Sequence, residues 1–402
     1  MNRGYHRLLA AAALSNLGDG IRLVAVPLVA VASSDDPLVV AGLTAAGYLP
    51  WALFGLPIGA LVDRHRPEKV MAAANASRLL LLIALALVAS SGTIPLLVSI
   101  VFVLGVGEAA YDNAAQSLLP RLVADSSLEH ANGRLVTLER TGQDVIGPAL
   151  AGLLVAWAVG APFAVNAVLL AVALALLAGI RTPPPPAPAE PTRLRREVTE
   201  GVNWLWQSHP VRRIVLAGAV LTFLTMFWES TLVLLAVDRI GLSTSAVGWM
   251  LAIGALGGTV GGLATPRIVS RVPAHDLLPA VPLCCGVAVL ALAAWPTAVL
   301  AGAAWGLTGF TFSVWNVLST SLRQRTVPAG LLGRVNAANR VISMIAVPAG
   351  AVAGGAVAAA LTLTAPLWGS AAGLLALGTA LLAHRAEPVA APVTGPGDRA
   401  LR

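Results

Sequence analysis

The sequence predicts an all-α membrane protein with twelve transmembrane helices, arranged as two pseudo-symmetric bundles of six. The first observation is composition: of 402 residues, 57% are hydrophobic and only 11% are charged, with a mean hydropathy of +0.80. A soluble domain carries about 25% charged residues. The second is the recurrence of apolar runs of roughly 20 residues, the length a helix needs to cross a bilayer. These runs lack the alternation of barrel strands. The third is an internal repeat.

The apolar runs define the spans in chain order. In the first half we place them at 8–32, 39–62, 70–90, 94–119, 132–157 and 161–180. In the second half they fall at 211–236, 243–265, 277–296, 298–322, 336–359 and 365–384. The predicted organisation is an N-terminal bundle (1–180), a cytoplasmic linker (181–210), a C-terminal bundle (211–385) and a disordered tail (386–402).

The linker combines a stiff segment with an amphipathic one. Pro183–Pro186 favours extended polyproline geometry and breaks helices. Residues 193–209 can form an amphipathic helix with Trp204 and Trp206 at the headgroup level.

The basic residues indicate orientation. Alternate connections, at 33–38, 91–94, 160–162 and 362–366, contain no Arg or Lys. The others hold Arg64, Arg66, Lys69, Arg121, Arg134, Arg267, Arg271, Arg323, Arg325 and Arg334. Because Arg and Lys concentrate in cytoplasmic loops, both termini should be cytoplasmic in a multi-pass cell-membrane protein. The net charge of +7 is then a topology signal, and we expect no nucleic-acid partner.

The repeat relates the two halves. A shift of 200 places Gly133-Arg134 on Gly333-Arg334, Arg140 on Arg340 and Pro148 on Pro348. Just upstream, a shift of 204 pairs Ser117 with Ser321 and Arg121 with Arg325. Two six-helix halves in the same orientation are typical of secondary transporters, which bind substrate near the bilayer midplane between the halves.

Two motifs carry a family resemblance. Residues 59–69, GALVDRHRPEK, resemble the cytoplasmic loop signature of the major facilitator superfamily at Gly59, Asp63, Arg64 and Lys69, and depart from it at 66 and 67. Residues 147–152, GPALAG, are similar to the Gly-Pro signature of the superfamily's antiporters. The chain most resembles the subgroup of the enterobactin exporter and macrolide efflux proteins. The Arg that drug–proton antiporters carry in helix four is absent, because Val101 stands there.

The resemblance implies alternating access and assigns roles to these motifs. Asp63, supported by Gly59, Arg64 and Lys69, would stabilise one conformation as a gating loop. The alternative is a simple topology anchor. Gly147, Pro148 and Gly152 would bend helix five, since proline removes a helical hydrogen bond; an ordinary kink is the alternative. Gly55 and Gly59 also form a small-residue stripe that permits close helix approach.

Charges at membrane depth mark the candidate cavity, because each costs roughly 2.5–3.5 kcal/mol to insert. Six acids lie in predicted spans, and we set against them the three bases Arg22, Arg140 and Arg340. The acids are Asp19, Glu108, Asp112, Glu139, Asp144 and Glu229, and the polar residues Gln116 and Asn316 complete the candidate cavity. The acids could be partners in structural ion pairs. Their excess instead favours proton coupling, because uncompensated buried carboxylates tend to take up protons.

The function we expect is proton-coupled export of small amphipathic organic molecules or drugs, with a cationic or neutral substrate favoured by the acid excess. Siderophore export is the alternative within the class, and nutrient uptake is a further one. A non-transporting receptor or lipid-handling scaffold is the alternative of another class, since fold alone does not fix function. We expect no enzyme activity, no cofactor and no metal site, and the partners are a small-molecule substrate, protons and the bilayer. We expect a monomer.

Overall fold

The computed structural model describes residues 3–34, 36–88, 94–124, 127–182 and 194–383, and within these ranges the regular secondary structure is helical. The first half contains α1 (Arg3–Ser33), α2 (Pro37–Arg64), α3 (Pro67–Val88), α4 (Ile94–Leu118), α5 (Leu128–Arg140), α6 (Gly147–Trp157) and α7 (Ala161–Leu177). Then follow α8 (Leu194–Gln207), α9 (His209–Glu229), α10 (Leu232–Leu234), α11 (Thr244–Val269), α12 (Ala274–Ala294), α13 (Ala298–Thr326), α14 (Ala329–Ala360) and α15 (Ala365–Ala383).

Ten of the described helical stretches are long and apolar enough to cross a membrane. The two other predicted spans correspond to α7, which has 17 residues, and to the continuous run of α5, a π-helical segment and α6. The architecture is therefore consistent with twelve crossings. The predicted all-helical membrane fold is confirmed.

Two spans are less regular than the sequence predicts. Residues Thr141–Ile146 form a π-helical segment between α5 and α6, and the N–H of Gly147 bonds to the carbonyl of Gly142, five residues earlier. The ring of Pro148 would clash with a carbonyl four residues before it, and the wider turn relieves this conflict. The span predicted at 211–236 ends as a helix at Glu229 and continues through α10 and a second π-helical segment, Leu235–Arg239.

The two halves meet along two helix pairs. α2 packs on α14, where a Cβ atom built on Gly355 would lie 2.3 Å from the Cβ of Ala41. α6 packs on α11, where a Cβ atom on Gly152 would lie 2.4 Å from the carbonyl oxygen of Thr244. Each contact lies near the end of α2, α14, α6 or α11 farthest from the two chain termini. Glycine is required at both, since any side chain would separate the halves there.

The linker helix α8 is docked on the second half. Leu205 is buried with Val211, Val215 and Val335 in a small apolar cluster, and Glu200 accepts a hydrogen bond from Arg334 of α14 at 2.6 Å. Trp206 keeps half of its surface exposed. The described part of the linker is therefore attached to the C-terminal bundle.

Candidate functional site

The interior of the N-terminal bundle contains a quartet of two acids and two bases. Asp19 of α1 is bound by the guanidinium of Arg78 from α3. Arg22 of α1 is bound to the carboxylate of Glu108 from α4, and its Nε lies 3.8 Å from Asp19. All four residues are buried. We call these four side chains the charged quartet; its formal charge is zero.

Arg78 was absent from the set of bases that we expected to face the acids. It lies in the middle of the span predicted at 70–90, so the depth argument that marked the other charges applies to it as well. The count becomes six acids against four bases, and two of the acids belong to the quartet. The excess of acid in the cavity is thus smaller than the sequence analysis gave.

Polar neighbours hold Arg78 in place. Its Nη1 donates to Ser15 Oγ and to Asn75 Oδ1, both at 3.1 Å, and its guanidinium carbon lies 5.9 Å from the centre of the Tyr111 ring. A buried charge that loses its partner is costly, whereas one with several donors and acceptors is locked in position. These contacts tie α1, α3 and α4 together.

Asp112 lies one turn beyond Glu108 on α4, and its surroundings are different. Its buried Oδ1 has no hydrogen-bond partner among the described residues. Glu108, Asp19 and Glu139 contribute negative charge around it, and Arg78 contributes positive charge. Asp112 is thus close to the quartet without being part of its ion pairs.

A second group of polar side chains surrounds Tyr48 of α2. The phenol feels the charges of Glu108, Asp144 and Glu229 and of Arg22. Since Glu229 belongs to α9 in the other half, charges from both halves act on Tyr48. Gln143 joins them by donating to Glu108 Oε1 at 3.4 Å.

Arg140 pairs with Asp144 at 3.2 Å, and this ion pair is largely open, since the Arg140 side chain is 75% exposed and that of Asp144 32%. Gln116 and Asn316 are exposed as well. Glu139 is partly buried beside Arg140. The structure thus places the predicted acids in two environments, a sealed one at the quartet and an open one at Arg140.

Arg340 of α14 lies at the junction of the two halves. Its guanidinium carbon is 5.6 Å from the centre of the Trp51 ring of α2. On α2, Trp51 follows Tyr48 by three residues, so the two side chains share a face. Arg340 is exposed, and it approaches the N-terminal bundle through this cation–π contact.

The loop signature, 59–69, covers the end of α2, the connection at 65–66 and the start of α3. The side chain of Asp63 is outside the described part of the structure. Arg64 and Lys69 are exposed. A Cβ atom on Gly55 or Gly59 would meet nothing within 4 Å. The expected close helix approach at the Gly55–Gly59 stripe is therefore wrong.

Glu68 is a polar residue of this loop that the sequence analysis missed. Its carboxylate accepts hydrogen bonds from the N–H of Thr182 at 3.2 Å and from the Thr182 hydroxyl at 2.6 Å. Both residues are buried. The loop is thereby fixed to the point where the chain leaves the first bundle, and the Glu at the penultimate loop position was the available signal.

The bend residues of helix five are buried in helix contacts. Gly147 packs on Gly20 of α1, where a Cβ atom would lie 2.6 Å from the Gly20 backbone. Gly152 packs on α11, and the Pro148 carbonyl oxygen lies 2.6 Å from a Cβ atom placed on Gly248. The motif therefore brings both bundles close together. Among the described residues, no group of three potential metal-ligating side chains occurs.

Comparison with known proteins identifies the fold and its relatives. Residues 8–351 match the sequence profile of the Major Facilitator Superfamily. The multidrug efflux pump Tap of Mycolicibacterium fortuitum is 27% identical over 92% of this chain and 93% of its own. The enterobactin exporter EntS of Escherichia coli is 27% identical, covering 81% and 78%. Macrolide efflux protein A of Streptococcus pyogenes is 26% identical over 58% of this chain and 59% of its own.

Solved structures share the architecture. A bacterial homologue of the iron transporter ferroportin in its inward-facing state superposes with a TM-score of 0.79, at 18% identity, over 96% of this chain and 99% of that one. The nucleoside transporter NupG gives 0.77 at 14% identity, over 95% and 99%. At these identities the likeness concerns the fold alone.

Proposed function

This chain belongs to the major facilitator superfamily, and we propose that it is a proton-coupled exporter of small amphipathic organic molecules that works by alternating access. It is a multi-pass membrane transporter and not an enzyme, and its relatives include efflux pumps. The proposal concerns three further properties, which are the direction of transport, the coupling ion and the substrate class.

The observation that supports coupling is the position of Asp112. It adjoins a charge-neutral quartet and has a buried carboxylate oxygen with no hydrogen-bond partner in the described residues. A carboxylate in such a place is costly when ionised and inexpensive when protonated. The Asp144 side chain is 32% exposed, and within the described part of the chain its ion-pair partner is the exposed Arg140. We infer that one of these two acids exchanges its proton as the cavity changes sides.

The test is proton flux on purified protein in liposomes. Asp112→Asn and Asp144→Asn should abolish substrate accumulation driven by a proton gradient, and at least one variant should still exchange substrate down its gradient. Asp144→Asn should cost less than about 1 kcal/mol of stability, since exposed ion pairs contribute little. Wild-type coupling in both folded variants would contradict the assignment.

The same assay separates the other candidates. Export of a siderophore is the second candidate, because the enterobactin exporter of E. coli is a relative at 27% identity. Substrates of both kinds can be offered in parallel. A receptor or lipid-handling scaffold would give no substrate-dependent flux with any of them.

We also propose that both termini are cytoplasmic. The Arg-free connections, including 160–162, would then face outside. A single cysteine at Gly160 should react with an impermeant maleimide added outside. A single cysteine at His65 should react only when the reagent is added inside. Labelling of His65→Cys from outside would reverse the orientation.

A further inference from the structure

Arg340 differs from the other arginines of the candidate cavity, which are Arg22, Arg78 and Arg140. Arg22 is bound to Glu108, Arg78 to Asp19, and Arg140 lies 3.2 Å from Asp144. For Arg340, the described residues provide an aromatic face and no carboxylate. A cation at this depth is costly unless something balances it. A cation–π contact supplies part of that balance and leaves the N–H donors of the guanidinium free.

The direction of Arg340 follows from its neighbours on α14. Gly350 and Gly354 pack on α9, against the carbonyls of Phe223 and Phe227, whereas Gly355 packs on α2 at Ala41. At 100° per residue, Arg340 lies between these two directions. Its side chain therefore projects into the space between α2 and α9, where Trp51 is found.

The α2 side of this space also carries a polar group. Tyr48 shares the face of α2 that carries Trp51, and its hydroxyl can donate a hydrogen bond. Of the acids whose charge reaches Tyr48, Glu108 is bound to Arg22 and Asp144 is paired with Arg140, whereas Glu229 has no ion pair among the described residues. Arg340 therefore lies against the aromatic ring of Trp51 with no carboxylate partner among the described residues. The same face of α2 carries the Tyr48 hydroxyl.

We propose that Arg340, supported by Trp51 and Tyr48, binds an anionic group of the substrate, a carboxylate or an acidic phenol carried on an apolar or aromatic skeleton. The planar guanidinium can bind such a group with two parallel hydrogen bonds while its other face stays on the indole. This subsite deepens the proposed function by giving the substrate a negative charge, in contrast to the cationic or neutral substrate favoured by the acid count. It rests on the proposed function only in treating the bound molecule as cargo.

The subsite also contains residues from both bundles. Arg340 belongs to the second half and Trp51 to the first. A ligand held between them would be bound fully only while α2 and α14 remain close at this level. Substrate binding and the relative position of the halves would therefore be linked.

The test compares three probes that share a skeleton and differ in charge: 1-naphthoate, 1-naphthamide and 1-naphthylmethylamine. Binding to the full chain in lipid nanodiscs is measured by titration calorimetry and by the shift in thermal unfolding. Wild type should bind naphthoate about tenfold or more tightly than the other two, the size expected for a charge-assisted hydrogen bond. Arg340→Gln should remove this preference, and Arg340→Lys should retain part of it.

Two further variants separate the subsite from general effects. Trp51→Leu should weaken naphthoate binding although the positive charge remains, because the guanidinium loses its support. Arg271→Gln removes an exposed charge from the turn between α11 and α12 and should bind all three probes as wild type does. Unfolding without ligand shows whether each variant is folded.

The outcomes decide the proposal. It is overturned if wild type prefers the amine, if a folded Arg340→Gln keeps the preference for naphthoate, or if wild type binds none of the probes at millimolar concentration. Because binding needs no proton gradient, a preference for naphthoate without proton-driven flux would support the subsite and contradict the coupling. Proton-driven flux of cationic substrates without binding of naphthoate would support the coupling and contradict the subsite.

Discussion

The two bundles share a plan and differ in their interiors. In the first, α1, α3 and α4 are joined by the charged quartet. In the second, a shift of 204 aligns α13 with α4. The positions equivalent to Glu108 and Asp112 are then Phe312 and Asn316. α12, the counterpart of α3, carries no charged residue between Leu277 and Ala294.

The second bundle relies on close packing instead. A Cβ atom on Gly257 would lie 2.0 Å from the Gly306 carbonyl oxygen, so α11 and α13 are in backbone contact. Trp305 donates to the carbonyl of Leu251 at 2.9 Å and meets the Trp228 ring edge to face at 6.0 Å. Close helix packing thus occurs in both bundles, and the first bundle adds buried ion pairs between its helices. The repeat preserves the topology, whereas the interior side chains of the two halves differ.

The largest expected effect is a loss of stability when an ion pair of the first bundle is removed. Arg78→Leu leaves the buried Asp19 with only Arg22, 3.8 Å away and already bound to Glu108. Removal of one partner of a buried ion pair costs about 3–5 kcal/mol. The variant should express poorly and unfold early by size-exclusion and thermal assays in detergent. The double variant Arg78→Leu, Asp19→Leu should recover much of the loss, since no charge is stranded.

The matched control belongs to the other half. Thr311→Val removes the 2.7 Å contact with Cys285, a neutral bond worth about 1 kcal/mol. If Arg78→Leu were no more harmful than this control, the quartet would not organise the first bundle.

The loop signature also distinguishes the halves, because Asp63 has Pro266 as its counterpart. Asp63→Asn should fold normally and slow transport by roughly 5–150-fold, the effect of losing a conformational contact of ~1–3 kcal/mol. Uptake into inverted vesicles measures this, with His65→Asn as a loop control. Full transport by Asp63→Asn would make the loop a topology anchor only.

A smaller effect breaks the packed half. Gly309→Ala would place a Cβ atom 2.0 Å from the Gly254 carbonyl oxygen, and overpacking of this kind costs about 1–3 kcal/mol. At Gly258, on the same interface, the nearest atom to a new Cβ is 3.5 Å away, so Gly258→Ala should be nearly neutral. Equal melting temperatures for the two variants would show that the helices separate without penalty.

The smallest effect concerns the attachment of the linker to the second half. The Glu200–Arg334 pair is about one-third exposed on both sides, and such pairs contribute up to about 1 kcal/mol. A double-mutant cycle with Glu200→Gln and Arg334→Gln, followed by chemical unfolding, isolates this term. A coupling of several kcal/mol would make the pair a principal link.

The fold was predictable because hydropathy can be read from each segment alone and the repeat from a comparison of the two halves of the sequence. The site was predictable only in part. Contacts three or four residues apart, Asp19 with Arg22 and Arg140 with Asp144, follow from helix geometry. The bonds that define the quartet join residues 59 and 86 positions apart, and helix packing selects those partners. The Glu68–Thr182 bond, 114 positions apart, escaped for the same reason.

The π-helical segment between α5 and α6 has a regular α-helical counterpart in the second half. The spacing from Arg140 to Pro148 equals that from Arg340 to Pro348, yet α14 passes its proline as a continuous helix whereas the first half opens into a π-helical segment. The wide turn is therefore a conformation of the same length of chain, with no inserted residue. Its conversion to an α-helical turn would screw α6 around its axis by about 100° and along it by about 1.5 Å. Because Gly152 of α6 contacts α11 of the opposite bundle, this conversion would shift the contact between the two halves.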